Sequence, residues 1–407
     1  MSKSSPLSMT GAALLCLACP VLAQELPEGD GKKAVQAACV QCHELERTSA
    51  AGYSIEGWRN NLHMMVNAGA PLPKDQIEMV AQYLAKNFPE KPRPEAVVVP
   101  GSVKINIREW PVPTPGSRPH DPAMAPDGSM WYTGQFANLL GRLDLKTGQI
   151  REFPLPAQSG PHGLIADKEG NIWYTGNFGA KIGKLDPKTG KATEYPMPDK
   201  NIRDPHTAIF DQKGILWFTA QNANIMGRID PRTGEVKIIP SLTPKSRPYG
   251  MVVSSKGVPF IVLFGTNKIA SIDPDTLAVR EYALPSAATR PRRIAITSDD
   301  VLWYSDYSRG YLGRFDPASG KATEWPSPGG SRSQPYGIAS IRDVIWYSES
   351  GTKPNTIVRF DPKTEKFQTW VIPSGGGVVR NVDVTKEGNL AIACSGVNGI
   401  GLVEIMQ

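Results

Sequence analysis

Cysteine and histidine are both scarce in this 407-residue chain, with five of each. Cys16 and Cys19 fall in an apolar leader, Cys39 and Cys42 form a close pair, and Cys394 stands alone, so no disulfide framework can be assembled. Charge of one sign is not concentrated either: 45 Lys and Arg face 39 Asp and Glu, and the formal +6 is spread along the chain. Nucleic-acid binding needs a clustered positive footprint, so it is excluded on that ground. Long apolar runs are missing as well. Gly11 to Ala23 is too short to span a bilayer, which leaves a retained anchor as the weaker reading. With Lys3 ahead of it and Val21-Leu22-Ala23 before Gln24, it reads as a secretory leader over residues 1–23. Cleavage there implies a periplasmic chain with no stable membrane insertion.

What is present begins with Lys32 to His43, a short amphipathic helix pattern ending in Cys39-Val40-Gln41-Cys42-His43. The spacing sets two thiols on one turn, where each can form a thioether to a haem vinyl group, with His43 as proximal iron ligand. A thioredoxin-like pair would want a βαβ context, and a zinc site a second Cys/His pair; neither lies nearby. The cofactor expected is therefore covalent haem c. Asp75 to Phe88 has the apolar spacing of a second helix, and the stretch Gly57 to Leu72 before it carries candidates for the distal ligand. Met65 leads, Met64 follows, His63 and Met79 are outsiders, and an open sixth position is a further alternative. Residues 28 to about 90 resemble a small monohaem cytochrome c, which implies an all-α domain over residues 24–95. Phe88-Pro89-Glu90-Lys91-Pro92-Arg93-Pro94-Glu95 is expected to be a semi-extended spacer.

From residue 96 to 407 the chain repeats itself. Gly160-Pro161-His162-Gly163-Leu164, Asn171-Ile172-Trp173-Tyr174-Thr175, Ile182-Gly183-Lys184-Leu185-Asp186 and Thr193-Glu194-Tyr195-Pro196 recur in that order from Arg118, Asp204, Arg247, Arg290 and Gln334, with a degraded copy from Val378. A period of about 42 residues holding four short strands predicts an all-β propeller with one blade per repeat. There are seven copies, and the last lacks a strand. Ile107-Arg108-Glu109-Trp110-Pro111 can supply it and close the ring. Trp131, Trp173, Trp217, Trp303 and Trp346 recur at one strand position and should pack between blades. Asp186-Pro187-Lys188-Thr189-Gly190 and its copies lack the alternating acids of a calcium loop and read as β-turns.

Equivalent positions become ring neighbours in a propeller. The column beside the central channel reads His120, His162, His206, Tyr249, Arg292, Tyr336, Arg380. A second column, expected near the same channel, reads Gly134, Gly176, Ala220, Leu263, Asp306, Glu349, Cys394. Three neutral imidazoles could hold a second metal ion or share proton transfer with acids, with His206, His162 and His120 the catalytic candidates. Arg292 and Arg380 would favour an anionic group. The bland alternative is a water-filled polar channel.

This repeat resembles the virginiamycin B lyase family. The resemblance implies a seven-bladed propeller that opens a cyclic depsipeptide by magnesium-assisted elimination, using a histidine base near an acid-Pro-His sequence in the last two blades. Blades six and seven here read Gln334-Pro335-Tyr336 and Val378-Val379-Arg380; the nearest match is Asp204-Pro205-His206 in blade three. The fold is therefore better supported than the reaction. The leading expectation is an exported haem protein transferring electrons, fused to a propeller that takes a small-molecule substrate or a redox partner protein. The alternative is a propeller enzyme, either a lyase or a haem-coupled dehydrogenase.

Overall fold

The computed structural model describes residues 26–406, so the expected leader lies outside the described residues. Among the described residues, four α-helices precede the propeller: α1 (Lys32–Cys39), α2 (Leu45–Ser49), α3 (Ile55–Asn67) and α4 (Ile77–Asn87). Ser54 caps α3 by accepting from the Gly57 amide at 3.1 Å, satisfying one of the donors a helix start leaves open. The two long helices bury one stripe each, with Trp58 and Leu62 meeting Ile77, Val80, Ala81 and Leu84 and joined by Val35 and Ala38 from α1. Trp58 donates its indole N–H to Phe88 O at 3.0 Å, so the large ring is buried without an orphaned donor.

Seven four-stranded antiparallel sheets follow. Blades one to six occupy residues 119–154, 161–196, 205–240, 248–283, 291–326 and 335–371, and blade seven occupies 379–406 plus an N-terminal strand. That strand, Lys104–Pro111, pairs with the last strand, Gly399–Met406, in register from Lys104↔Met406 to Pro111↔Gly399. The ring thus closes by hydrogen bonds between its two ends, as the strand count implied, and no sheet edge is left at the seam. The recurring tryptophans lie between blades as expected. Trp131 packs with Leu164 and Ile172 of blade two, and Trp303 packs with Ile338 and Phe360 of blade six. The Asp-Pro-Lys-Thr-Gly segment is a turn closed by its own aspartate, whose carboxylate accepts from Lys188 N at 2.8 Å and Thr189 Oγ1 at 2.9 Å.

Two repeat residues have a packing reason. The glycine of the third strand lies under the aromatic ring of the second: a Cβ on Gly183 would sit 2.0 Å from the Tyr174 ring, and one on Gly141 1.9 Å from Tyr132. The Thr or Ser after that aromatic ties neighbouring blades together. Thr175 Oγ1 accepts from Gly163 N at 2.7 Å and donates to His206 O of the next blade at 2.8 Å. The same pair of bonds recurs at Thr133, Thr219, Ser305 and Ser348. Blades four and seven carry Val262 and Ala393 there and lack it.

The segment between helices and propeller is extended, as expected, but it is strapped down rather than free. Lys353 N donates to Pro94 O at 2.8 Å, Val99 N donates to Thr369 Oγ1 at 2.7 Å, and Gln368 Nε2 donates to Val103 O at 2.6 Å. Blade six therefore holds the connection along its outer strand. Gly183→Ala is expected to lower stability by about 1–3 kcal/mol through overpacking, with a smaller cost in a Tyr174→Ala background. Denaturant midpoints of the four proteins check this; equal costs in both backgrounds would refute the ring contact.

Candidate functional site

Two sites stand out. The first is a cavity in the helical domain, lined by Cys39, Cys42 and His43 on one side and by Met65, Asn61 and Leu62 of α3 on another, with Trp58, Leu72 and Leu84 among its apolar walls. Both thiols are free of disulfides. His43 Nδ1 lies 3.0 Å from Glu44 O; a carbonyl only accepts, so Nδ1 carries the proton and Nε2 keeps its lone pair for a ligand. Of the four candidates for the far side, Met65 lines the cavity, whereas Met64, His63 and Met79 do not. Met79 packs instead against the helical core.

The helical domain sits on the propeller mouth. Asn60 Nδ2 on α3 donates to Gly396 O at 3.1 Å, and Asn67 Nδ2 donates to Pro115 O at 2.9 Å. Gly116 has φ +66°, and any Cβ there would meet the α3 backbone at 2.4 Å, so glycine is required for this seating.

The second site is the channel itself. Every innermost strand has a bulge at the ring position: from Pro205 to Ala208 the inner strand takes three steps while its partner, Ala220 to Phe218, takes two. The extra residue aims two consecutive side chains at the axis. One layer contains the expected ring. His120 and His162 are 3.7 Å apart between ring centroids, His162 and His206 3.8 Å, and His206 and Tyr249 3.9 Å. The Tyr249 and Tyr336 hydroxyls are hydrogen-bonded, and the Arg292 guanidinium lies 3.9 Å from the Tyr336 ring and 4.1 Å from that of Tyr307. Arg380 Nε donates to Ser395 Oγ at 3.1 Å.

The next layer reads Asp121, Gly163, Thr207, Gly250, Arg293, Gly337, Asn381. Side chains and glycines alternate because seven side chains would not fit: a Cβ on Gly163 would lie 2.4 Å from His206 O, and one on Gly250 2.9 Å from Arg293 Cα. Arg293 crosses the axis from blade five to Asp121 of blade one at 2.9 Å and to Thr207 of blade three at 3.1 Å. This buried plug floors the ring. The Pro-x-Gly pattern of blades two, four and six was the signal for it in the sequence, but a single-column reading of each inner strand passes over the residue that a bulge adds.

Burial, followed by neighbouring imidazoles and guanidiniums, holds all three histidines well below the ordinary histidine value, so they are neutral. Their Nδ1 atoms are engaged by Asp121 at 2.8 Å, His206 O at 3.1 Å and Thr207 Oγ1 at 3.0 Å, in chain order. Burial raises the Tyr249 phenol, while at Tyr336 burial is outweighed by Arg292, Arg380 and Arg293, which draw it down. Burial also pushes Asp121 up to about 6 against the pull of Arg293. Among the described residues, the donor atoms close enough for one metal ion are those of His120, Asp121 and His162, within 4.8 Å of one another, rather than those of the three imidazoles.

The second sequence column does not line the channel. Asp306 lies opposite Pro291, the residue before Arg292, so its side chain turns into blade five and pairs with Arg309 at 2.5 Å. Glu349 accepts from Ser327 Oγ and Gly329 N, each at 2.6 Å, and from Thr356 Oγ1 at 2.7 Å inside blade six. Cys394 points to Glu109 on the N-terminal strand at 3.8 Å. Residues opposite each other in an antiparallel pair share a face, which directs all three away from the ring.

Residues 101–264 and 242–406 match the model of the virginiamycin B lyase family, together about three quarters of the chain. The chain belongs to this family. A streptogramin B lyase structure is 26% identical, covering 74% of this chain and 98% of its own, with a TM-score of 0.68. A catalytically inactive histidine-to-alanine virginiamycin B lyase from Staphylococcus aureus, solved with quinupristin, is 24% identical over 74% of this chain and all of its own, with a TM-score of 0.67. Hydrazine synthase from Kuenenia stuttgartiensis shares the fold at 14% identity, covering 71% of this chain and 96% of the matched chain, with a TM-score of 0.60. No curated protein matches the sequence significantly. These family matches begin at residue 101, so the helical domain is an addition to the propeller that its relatives share.

Arg293→Met is expected to destabilise the protein by about 3–5 kcal/mol, because it leaves Asp121 buried without its partner. The double variant Asp121→Leu with Arg293→Met should recover most of that loss. Thermal and denaturant melts of the unsubstituted protein and the two variants decide; a double variant no better than the single would refute the unpaired Asp121 carboxylate as the source of the loss.

Proposed function

We propose that the chain is an exported c-type cytochrome whose haem serves the channel of a lyase-family propeller. The observation carrying this reading is the single cavity shared by Cys39, Cys42, His43 and Met65, seated by α3 on the propeller mouth. The donor set suits haem c: two free thiols for thioethers, an imidazole with its Nδ1 proton held by a carbonyl, a thioether opposite, and apolar walls. Bound haem supplies one-electron chemistry. Cys39 and Cys42 would attach the group, His43 and Met65 would supply its ligands, and Trp58 and Leu62 would keep water from the cavity, with the Met65 thioether favouring the reduced state. A redox partner protein or a small-molecule substrate in the channel would be the other party to that chemistry.

The lyase reading draws on family membership and on the histidine required in the Staphylococcus aureus relative. Against it stand Tyr336 and Arg380 in the blades where the family's base is expected. His206, in the one acid-Pro-His match, has Nδ1 tied to Thr207, and Asp204 is taken up by the Asn222 amide at 2.9 Å. A haem also has no part in an elimination. The proposal assigns one metal, the haem iron. A second metal between His120, Asp121 and His162 would have to draw Asp121 away from Arg293.

In periplasmic expression the protein should keep haem after denaturation in organic solvent, and Cys39→Ala with Cys42→Ala should abolish that attachment. Met65→Ala should shift the haem spectrum from low to high spin and lower the reduction potential, whereas Met64→Ala should change neither. Haem-free protein from a strain competent in cytochrome c maturation would sink the reading. So would a second bound metal lost in His120→Ala, for the assignment of iron alone.

A further inference from the structure

Three guanidiniums at the channel lack a carboxylate. Arg118 stacks on Phe136 at 4.9 Å, Arg292 lies among Tyr249, Phe264, Tyr307 and Tyr336, and Arg380 bonds Ser395. Among the described residues, none of the three forms an ion pair, and the buried Nε of Arg292 has no hydrogen-bond partner. Arg292 and Arg380 flank Tyr336 in the ring, from blades five and seven, with Arg292 3.9 Å from the Tyr336 ring, and Arg118 stands two residues before the ring position of blade one, the neighbour of blade seven. Arg293 does not join them, since Asp121 already neutralises it in the floor below. Holding three unpaired cations together in a half-buried place costs free energy that an anion would return.

The opposite arc has a different character. His120 Nδ1 faces a carboxylate and His162 Nδ1 faces a carbonyl, so both carry their proton on Nδ1 and leave Nε2 as an acceptor. A ligand spanning the ring therefore meets cations on one side and lone pairs on the other. The Arg293–Asp121–Thr207 floor limits its depth, and the helical domain covers the mouth.

We propose that the channel ring binds a small anion that also carries an O–H donor, such as a hydroxycarboxylate, with its charge on Arg118, Arg292 and Arg380 and its hydroxyl on His120 or His162. This rests on the reading that the channel takes a small ligand, and it is independent of whether haem is attached. The test is calorimetric titration of full-length holoprotein with sodium glycolate and, separately, sodium acetate. Both should bind saturably, glycolate more tightly. Arg292→Gln and Arg380→Gln should each weaken both ligands at least about tenfold, and the double variant His120→Phe with His162→Phe should erase only the advantage of glycolate. Lys213→Gln on the outer rim is the control, and circular dichroism melts confirm that each variant is folded. Absence of saturable binding, or unchanged affinity in both folded arginine variants, overturns the site. Equal binding of glycolate and acetate overturns the hydroxyl assignment. The haem absorbance of the same samples reports on attachment separately, so the two readings fail independently.

Discussion

The structure depends on one small device repeated at the inner strands: a bulge held by a hydroxyl. Thr175 takes the amide of Gly163 in its own blade and gives its proton to the carbonyl of His206 in the next. Four further blades repeat it. A hydrogen-bonded bulge adds one residue per strand, and that residue lets two side chains reach the axis where one would be expected. The same bond fixes the distance between neighbouring inner strands, and hence the close stacking of His120, His162, His206 and Tyr249. Packing between blades could tolerate slippage of a few tenths of an ångström; a buried hydrogen bond to a carbonyl tolerates far less.

From this follows a division of labour along the channel. The lower layer is closed and neutral, because Arg293 and Asp121 satisfy each other across the axis. The upper layer is open in charge, with neutral imidazoles on one arc and uncompensated guanidiniums on the other. Asp121 therefore has two effects: it anchors the floor, and it sets the His120 tautomer. The helical domain completes the arrangement. Its contact is made through α3, the helix that also carries Met65, so any strain at the seat on Gly116 is transmitted to the wall of the cavity. The strap along blade six restricts the same domain from the other side.

Much of this was legible beforehand, for definable reasons. Periodicity exposed the blades, since each repeat must bury the same face against its neighbour. The closing strand was legible because the seventh copy was one strand short and an unpaired match stood at the other end. Asp306, Glu349 and Cys394 were misplaced because column position alone does not say which face of a sheet a residue takes. Opposite Pro291, Asp306 can only turn inward to Arg309. Arg118 and the Asp121 layer were missed for a related reason: one is adjacent to the repeat motif rather than inside it, and the other exists only because of the bulge.

By itself, the sequence determined what is local or repeated: a thiol pair with an adjacent histidine, four strands per unit, seven units, and a ring rich in His, Tyr and Arg. Tertiary structure decided what depends on long-range approach. It placed Met65, and not Met64, in the wall of the helical cavity, since helical geometry turns consecutive side chains about a hundred degrees apart. It also paired Arg293 with Asp121 across 172 residues of chain, left Arg292 without such a partner, and seated α3 on the propeller at Gly396 and Pro115. No pattern along the chain encodes those distances; they arise only when the ring closes.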